Sequence, residues 1–186
     1  MDIQKDGTMP ALYHFSEDPT IRIFRPHRAP TSNRDEEYVW AIDDWHAPMY
    51  YFPRDCPRGC FWPEPATSPA DRARWFDYVR ARMVIAVESG WLNRIRTTAL
   101  YRYTMPEGPF QLLDPTAGHW VAREVVTPLS VDPVGDLLTA LVAADVELRI
   151  TPSLIPLWCE VVRSTLAFSG TRLRHAQGYQ LLGIST

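Results

Sequence analysis

Apolar and polar positions alternate most clearly near the start of the chain, where Leu12, His14 and Ser16 fall on one side of an extended segment and Tyr13 and Phe15 on the other. The stretch ALYHFS at 11–16 is therefore predicted as a strand. IRIFRP at 21–26 is predicted as a second, joined to it by EDPT, whose Asp-Pro pair favours a turn. YVWAID at 38–43 predicts a third strand, and DDWHAPMYYF at 43–52 a short helix capped by Asp43 or Asp44. Pro48 limits that helix, because proline is tolerated only in a first turn. Residues 53–72 hold five of the 17 prolines and predict loop, with one short strand near CFW. Ala73, Phe76 and Val79 then space an apolar stripe for a helix over 70–79.

RMVIAVE at 82–88 reads as a buried strand, while WLNRIRTTA fits neither period. LYRYTM at 100–105 alternates again, and FQLLD at 110–114 and HWVAREVVTPLSV at 119–131 predict further strands, the last interrupted at Pro128. VGDLLTALVAAD at 134–145 is predicted helical, VELRI a strand, and SLIPLWCEVVRSTLAFS at 153–169 a long amphipathic helix. Strands dominate before residue 131 and helices are most prominent after it, which argues for an α+β fold with helices mainly in the C-terminal third. No internal repeat or linker divides the chain, so a flexible N-terminus over 1–10 and a single domain over 11–186 are expected.

Composition narrows the partners. The net charge of −3 leaves no global basic field for a nucleic-acid backbone. Lys5 is the single lysine among 19 basic residues, and the remaining guanidinium groups suit bidentate contact with phosphate or carboxylate. Cys56, Cys60 and Cys159 cannot all pair within one chain, and MDIQKDGTMP has no apolar leader core, so a cytoplasmic location is expected. No run approaches the roughly 18 apolar residues of a membrane helix, and no membrane association is expected.

Several chemistries lack their spacing. No HxxxH or HExxH pair occurs, and CPRGC is a CxxxC without a second pair, so no metal site is expected. There is no GxSxG elbow, GxGxxG turn or P-loop, and Cys159 lies in an apolar helical stripe.

Three stretches remain: LYHFS at 12–16, VWAIDDWHAPMYY at 39–51 and VAREVVTPLSV at 121–131. Together they resemble the His-Tyr-Glu group of the ADP-ribosyltransferase superfamily. Its members carry a His on a first strand, aromatic residues on a later strand and helix, and a Glu on a strand beyond. The resemblance covers about 120 residues, and it implies split antiparallel sheets around a pocket for NAD as co-substrate. Phe15 stands where that family often has glycine, and Trp40 where it has tyrosine.

Carried over, the resemblance assigns His14 to a ribose hydroxyl and Ser16 to the nicotinamide amide. Trp40 would stack on the nicotinamide, and Tyr50 would lie behind that ring. It makes Glu124 the catalytic carboxylate that stabilises an oxocarbenium-like state. Glu88 and Glu147 are alternatives, because both also sit on predicted strands; Glu124 is preferred because alternation leaves it beside Ala122, where a ligand fits. Arg22, Arg25 and Arg28 are near enough in sequence to meet the pyrophosphate. NAD-dependent ADP-ribosyl transfer or NAD glycohydrolysis follows as one expectation, with the acceptor unidentified. The alternatives are a non-catalytic module binding a nucleotide or other small ligand, and a structural or interaction protein. The chain also resembles uncharacterised bacterial domain families, which imply no activity.

Overall fold

The computed structural model describes residues 9–28 and 36–182, with the side chains of 181 and 182 left aside. The expectation of a flexible 1–10 segment lies, over 1–8, outside the described residues. The fold is α+β, with two sheets rich in antiparallel pairs and four α-helices among the described residues. Contacts gather the chain into two compact units, one from Phe52–Thr98 and Asp136–Thr186, the other from Asp2–Tyr51 and Ala99–Gly135. Among the described residues, no helix is long and apolar enough to cross a membrane.

The second of these units holds a six-stranded antiparallel sheet. Its strands are β1 (Leu12–Ser16), β2 (Val39–Asp43), β5 (Tyr101–Met105), β6 (Gln111–Asp114), β7 (His119–Ala122) and β8 (Ser130–Pro133). They run in the order β6-β7-β2-β1-β5-β8, so β1 and β2 are central. Leu12 pairs with Met105 and His14 with Tyr103, while Tyr13 pairs with Ile42 and Val39 with Ala122. Side chains alternate across a strand, and the register therefore gives one face to Leu12, Val39, Ala41, Tyr103, Met105 and Ala122. With Phe24, Phe110 and Val126 these make the buried core of the unit. The buried Tyr103 hydroxyl donates to Asp18 O at 2.7 Å and accepts from Ile21 N at 3.1 Å, tying down the loop after β1.

The other unit is built on β3 (Arg58–Trp62), β4 (Met83–Glu88), β9 (Val146–Thr151) and β10 (Ala167–Thr171), in the order β10-β3-β4-β9. All of β3 and β4 is buried, which explains their nearly continuous apolar sequences. β4 and β9 pair in parallel. Four helices accompany them: α1 (Pro69–Phe76), α2 (Leu92–Thr97), α3 (Leu137–Ala143) and α4 (Ile155–Val161). Ser68 Oγ caps α1 by accepting from Asp71 N at 3.1 Å, and Asp136 caps α3 by accepting from Thr139 N at 2.7 Å. Trp158 of α4 lies on Gly59 and Gly170, which pair across β3 and β10; a Cβ on Gly59 would sit 2.9 Å from Trp158 Cε3 and one on Gly170 2.8 Å from Cζ2. The two glycines thus make the flat floor on which the indole packs.

Four expected elements differ. The predicted helix over 153–169 is α4 followed, after a turn, by β10, which pairs with β3 through Phe168 opposite Phe61. The predicted strand at 21–26 is extended chain with a single bridge, Phe24 to Val126. Pro26 lacks an N–H, and Phe24 is the one residue of the stretch that is buried. DDWHAPMYYF forms only a 3-10 turn at Ala47–Tyr50, with Pro48 in its first turn. The long segment 119–131 breaks into β7 and β8, leaving 123–129 outside both.

Candidate functional site

The faces of the six-stranded sheet decide which candidate side chains can meet. Tyr13, Phe15, Trp40, Ile42, His119 and Val121 share the face opposite Leu12, by pairings of Tyr13 with Ile42, Trp40 with Val121 and Ile42 with His119. His14 and Ser16 project from the Leu12 face instead. The His14 ring packs 4.7 Å from Phe24, and its Nδ1–H donates to the Trp40 main-chain carbonyl at 2.9 Å. Ser16 Oγ accepts from Asp18 N at 3.1 Å, closing the turn after β1.

Trp40 and Tyr50 do come together, at a residue that reading the sequence did not single out. Tyr50 Oη lies 3.0 Å from His119 Nε2, and the Trp40 ring stands edge-on to the same imidazole at 5.8 Å. Phe15 stacks on Tyr50, centroids 6.5 Å apart and planes 12° from parallel, and meets Tyr51 edge-on at 5.3 Å. Arg102 lies 5.0 Å over the Tyr13 ring. These rings are half-buried. Trp40 Nε1 and Arg102 Nε are buried without a hydrogen-bond partner among the described residues.

Behind His119 is a fixed polar turn. Asp43 Oδ1 accepts both from His46 N at 2.9 Å and from the His46 ring Nδ1–H at 2.7 Å, and both residues are buried. Gly118 closes over this pair with φ +67°, and its carbonyl accepts from Asp43 N at 3.1 Å. A side chain at 118 would be strained at that φ, and its Cβ would lie 2.1 Å from His46 Nδ1. Burial pushes the His119 pKa below the ordinary imidazole value; Asp114 and Asp43 oppose this and His46 adds to it. His119 is thus neutral at pH 7, and its Nε2 and the Tyr50 hydroxyl share one hydrogen bond.

Glu124 lies past the end of β7, in a bend, and is exposed. It makes no hydrogen bond or ion pair among the described residues. The alternation that put it on a strand face with Ala122 stops at Ala122 itself. Glu88 is buried in the four-stranded unit, where Oε1 accepts from Leu154 N at 3.1 Å and Gln177 N at 2.9 Å; Glu147 pairs with Arg149 at 2.7 Å. Among the described residues, no three His, Cys, Asp or Glu side chains gather to hold a metal ion. A cavity of about 410 Å³ beside α1, lined by Pro63, Arg72, Phe76 and Val79, contains none of the candidate residues.

Two local clues point to the missed residues. Asp43 precedes His46 by three positions in a turn, the spacing at which a carboxylate caps and clamps a ring. His119 begins a strand that alternates with Val121 and follows a glycine.

A protein-family model described as "Family of unknown function (DUF6886)" matches residues 13–176. The chain belongs to this family. The match spans both units and includes His14, Trp40, Tyr50, His119 and Glu124. Comparison with curated proteins and with solved structures finds no match. The resemblance to ADP-ribosyltransferases receives no support from these comparisons, and membership of DUF6886 carries no activity with it.

Proposed function

We propose that the six-stranded unit binds a small planar ligand on the face carrying Phe15, Trp40 and His119, the nicotinamide or adenine ring of a nucleotide such as NAD being the class that fits those rings. The observation that carries this reading is that Trp40 and Tyr50, from separate elements, both meet the His119 imidazole. Stacking of a base on an aromatic side chain is worth about 1–3 kcal/mol. A neutral imidazole and a phenol at one edge offer both a donor and an acceptor to ring substituents. Such a site orients its ligand by stacking and a few polar contacts and needs no glycine loop. Calorimetric titration with NAD, nicotinamide and AMP tests it. Saturable binding of a ring-bearing fragment that weakens in Trp40→Leu is expected, and absence of binding by all three ligands contradicts it.

A second reading keeps the chemistry implied by the resemblance. In glycohydrolysis the bond between ribose C1′ and the nicotinamide nitrogen breaks, nicotinamide leaves with the bonding pair, and water adds at C1′ and loses a proton. The meeting of Trp40 with Tyr50 favours this reading, since both were expected around the nicotinamide ring. It also requires a carboxylate at the ribose to stabilise the developing positive charge. Glu124 is exposed beyond β7, whereas the acids acting on His119 are Asp114 and Asp43, the latter held by His46. Binding without turnover is therefore the reading placed first.

A further inference from the structure

The face that carries Trp40 continues across the six-stranded sheet to an arginine. In the ladder between β1 and β5, Tyr13 pairs with Thr104 and Phe15 with Arg102, so Arg102 projects on the same side as Tyr13, Phe15 and Trp40. β5 lies two strands from β2, with β1 between them. Neighbouring strands are spaced about 4.8 Å apart, which puts Arg102 roughly 10 Å from Trp40 across the face.

Arg102 turns toward the aromatic rings. Its guanidinium carbon lies 5.0 Å over the ring of Tyr13, on β1. On its other flank Asp132 of β8 pairs with it in the ladder, and opposite charges so placed ordinarily attract one another. Here Asp132 Oδ2 accepts from Ser130 Oγ at 3.1 Å instead. The Arg102 guanidinium makes no ion pair or hydrogen bond among the described residues.

Two N–H donors of this face are therefore left over. Trp40 Nε1 and Arg102 Nε are both buried, and neither meets an acceptor among the described residues. Buried donors are nearly always paired, and leaving one unpaired is costly. Indole and guanidinium groups donate and do not accept, so their complement is a ligand rich in acceptor oxygens. The guanidinium fork matches the oxygens of a phosphoryl group.

We propose that Arg102 is the anion-recognising residue of the aromatic face, holding a phosphoryl group one sugar away from a ring stacked at Trp40. The proposal rests on the reading of that face as a ring-binding site and narrows its ligand to a nucleoside 5′-phosphate, free or as half of a dinucleotide. The span of roughly 10 Å between the two residues suits a base and a phosphoryl group joined through a ribose, whereas an acid directly on the ring falls short of Arg102.

Calorimetric titration of the full chain with AMP and with adenosine, at matched ionic strength, separates the phosphoryl contribution from that of the ring. AMP is expected to bind about tenfold or more tightly than adenosine, the worth of one charge-assisted contact. Arg102→Gln should bring AMP down to the affinity of adenosine and leave adenosine unchanged. Arg102→Lys should keep part of the difference, since the charge remains and the fork is lost. Arg163→Gln removes the same charge from an exposed position of the other unit and should leave the difference intact. Circular dichroism checks the fold of each variant, and the comparison of the two ligands on the wild type needs no variant at all. Equal binding of AMP and adenosine overturns the role of Arg102 and leaves the ring site standing, while binding of neither overturns both. An AMP preference that survives in folded Arg102→Gln also overturns it, because the phosphoryl group is then held elsewhere. So does equal weakening of AMP by Arg163→Gln and Arg102→Gln, which would mean that only net charge matters.

Discussion

Tyr50 ends a 3-10 turn and His119 opens β7, 69 residues later, yet Tyr50 Oη lies 3.0 Å from His119 Nε2. The bond joins the turn after β2 to a strand that β2 itself pairs with, so it closes a small loop of structure around the Trp40 ring. Breaking it by Tyr50→Phe removes a hydrogen-bond partner from a half-buried imidazole. The expected loss is about 1 kcal/mol of unfolding free energy. Urea denaturation measures it, and an unchanged midpoint would show that the bond adds nothing to stability.

The depressed pKa of His119 makes stability depend on pH in a definite direction. The unfolded imidazole titrates near 6.5 and the folded one lower, so between those values the unfolded chain holds more protons. The His119 contribution is therefore fully present well above 6.5, is lost as pH falls through 6.5, and levels off below the depressed native value. Urea midpoints at a series of pH values should fall in this window for the wild type and fall less in His119→Gln. A wild-type midpoint that rises on acidification through that window would contradict the assignment.

Gly118 holds the Asp43–His46 turn closed. Gly118→Ala adds a Cβ 2.1 Å from His46 Nδ1 and 2.6 Å from Asp43 Oδ2, at a φ of +67°. A destabilisation of about 2–3 kcal/mol is expected from overpacking and backbone strain together. A thermal melt within a degree of wild type would mean that the turn relaxes freely.

The elements legible in the sequence were those whose pattern is local. Alternation at Leu12–Ser16, Val39–Asp43 and Tyr101–Met105, and the buried run at Met83–Glu88, each became a strand. The segment 153–169 was misread because Ile155, Trp158 and Val161 do make a helical stripe, while Ala167–Thr171 becomes a strand only through pairing with Arg58–Trp62, over 100 residues earlier. At the site, Trp40 and Tyr50 were legible as aromatic residues flanking a strand and a turn. His119 was not, because its partners come from β2 and the turn after it. The separation of His14 from Trp40 follows from adjacent-strand register, which the pattern of β1 alone does not specify.

Burial pushes the thiol pKa values of Cys56 and Cys60 up to about 12, so both remain protonated and shielded in the folded chain. Iodoacetamide at pH 8 should label the half-buried Cys159 first, and all three only after denaturation. Peptide mapping by mass spectrometry reads the outcome. Rapid native labelling of Cys56 or Cys60 would show that the end of the sheet around Arg58 opens readily.

Glu124→Gln separates the two functional readings. The exposed carboxylate makes no contact with the Trp40–His119 group, so NAD affinity measured by calorimetry should match wild type. Nicotinamide release from labelled NAD, followed in parallel, should be absent from both proteins. Release by the wild type that falls about a hundredfold in the variant would instead establish Glu124 as the catalytic carboxylate.

The most direct measurement of the central claim is nuclear magnetic resonance during titration with NAD. The Trp40 indole N–H is identified by its loss in Trp40→Phe, and the His119 ring by its loss in His119→Gln. NAD is expected to shift both sets of resonances along one saturable curve, with the dissociation constant raised in Tyr50→Ala and unchanged in Arg163→Gln, an exposed position of the other unit. Resonances of Trp40 and His119 that stay fixed while others move, or that do not move at any NAD concentration reached, would contradict a ligand site on this face.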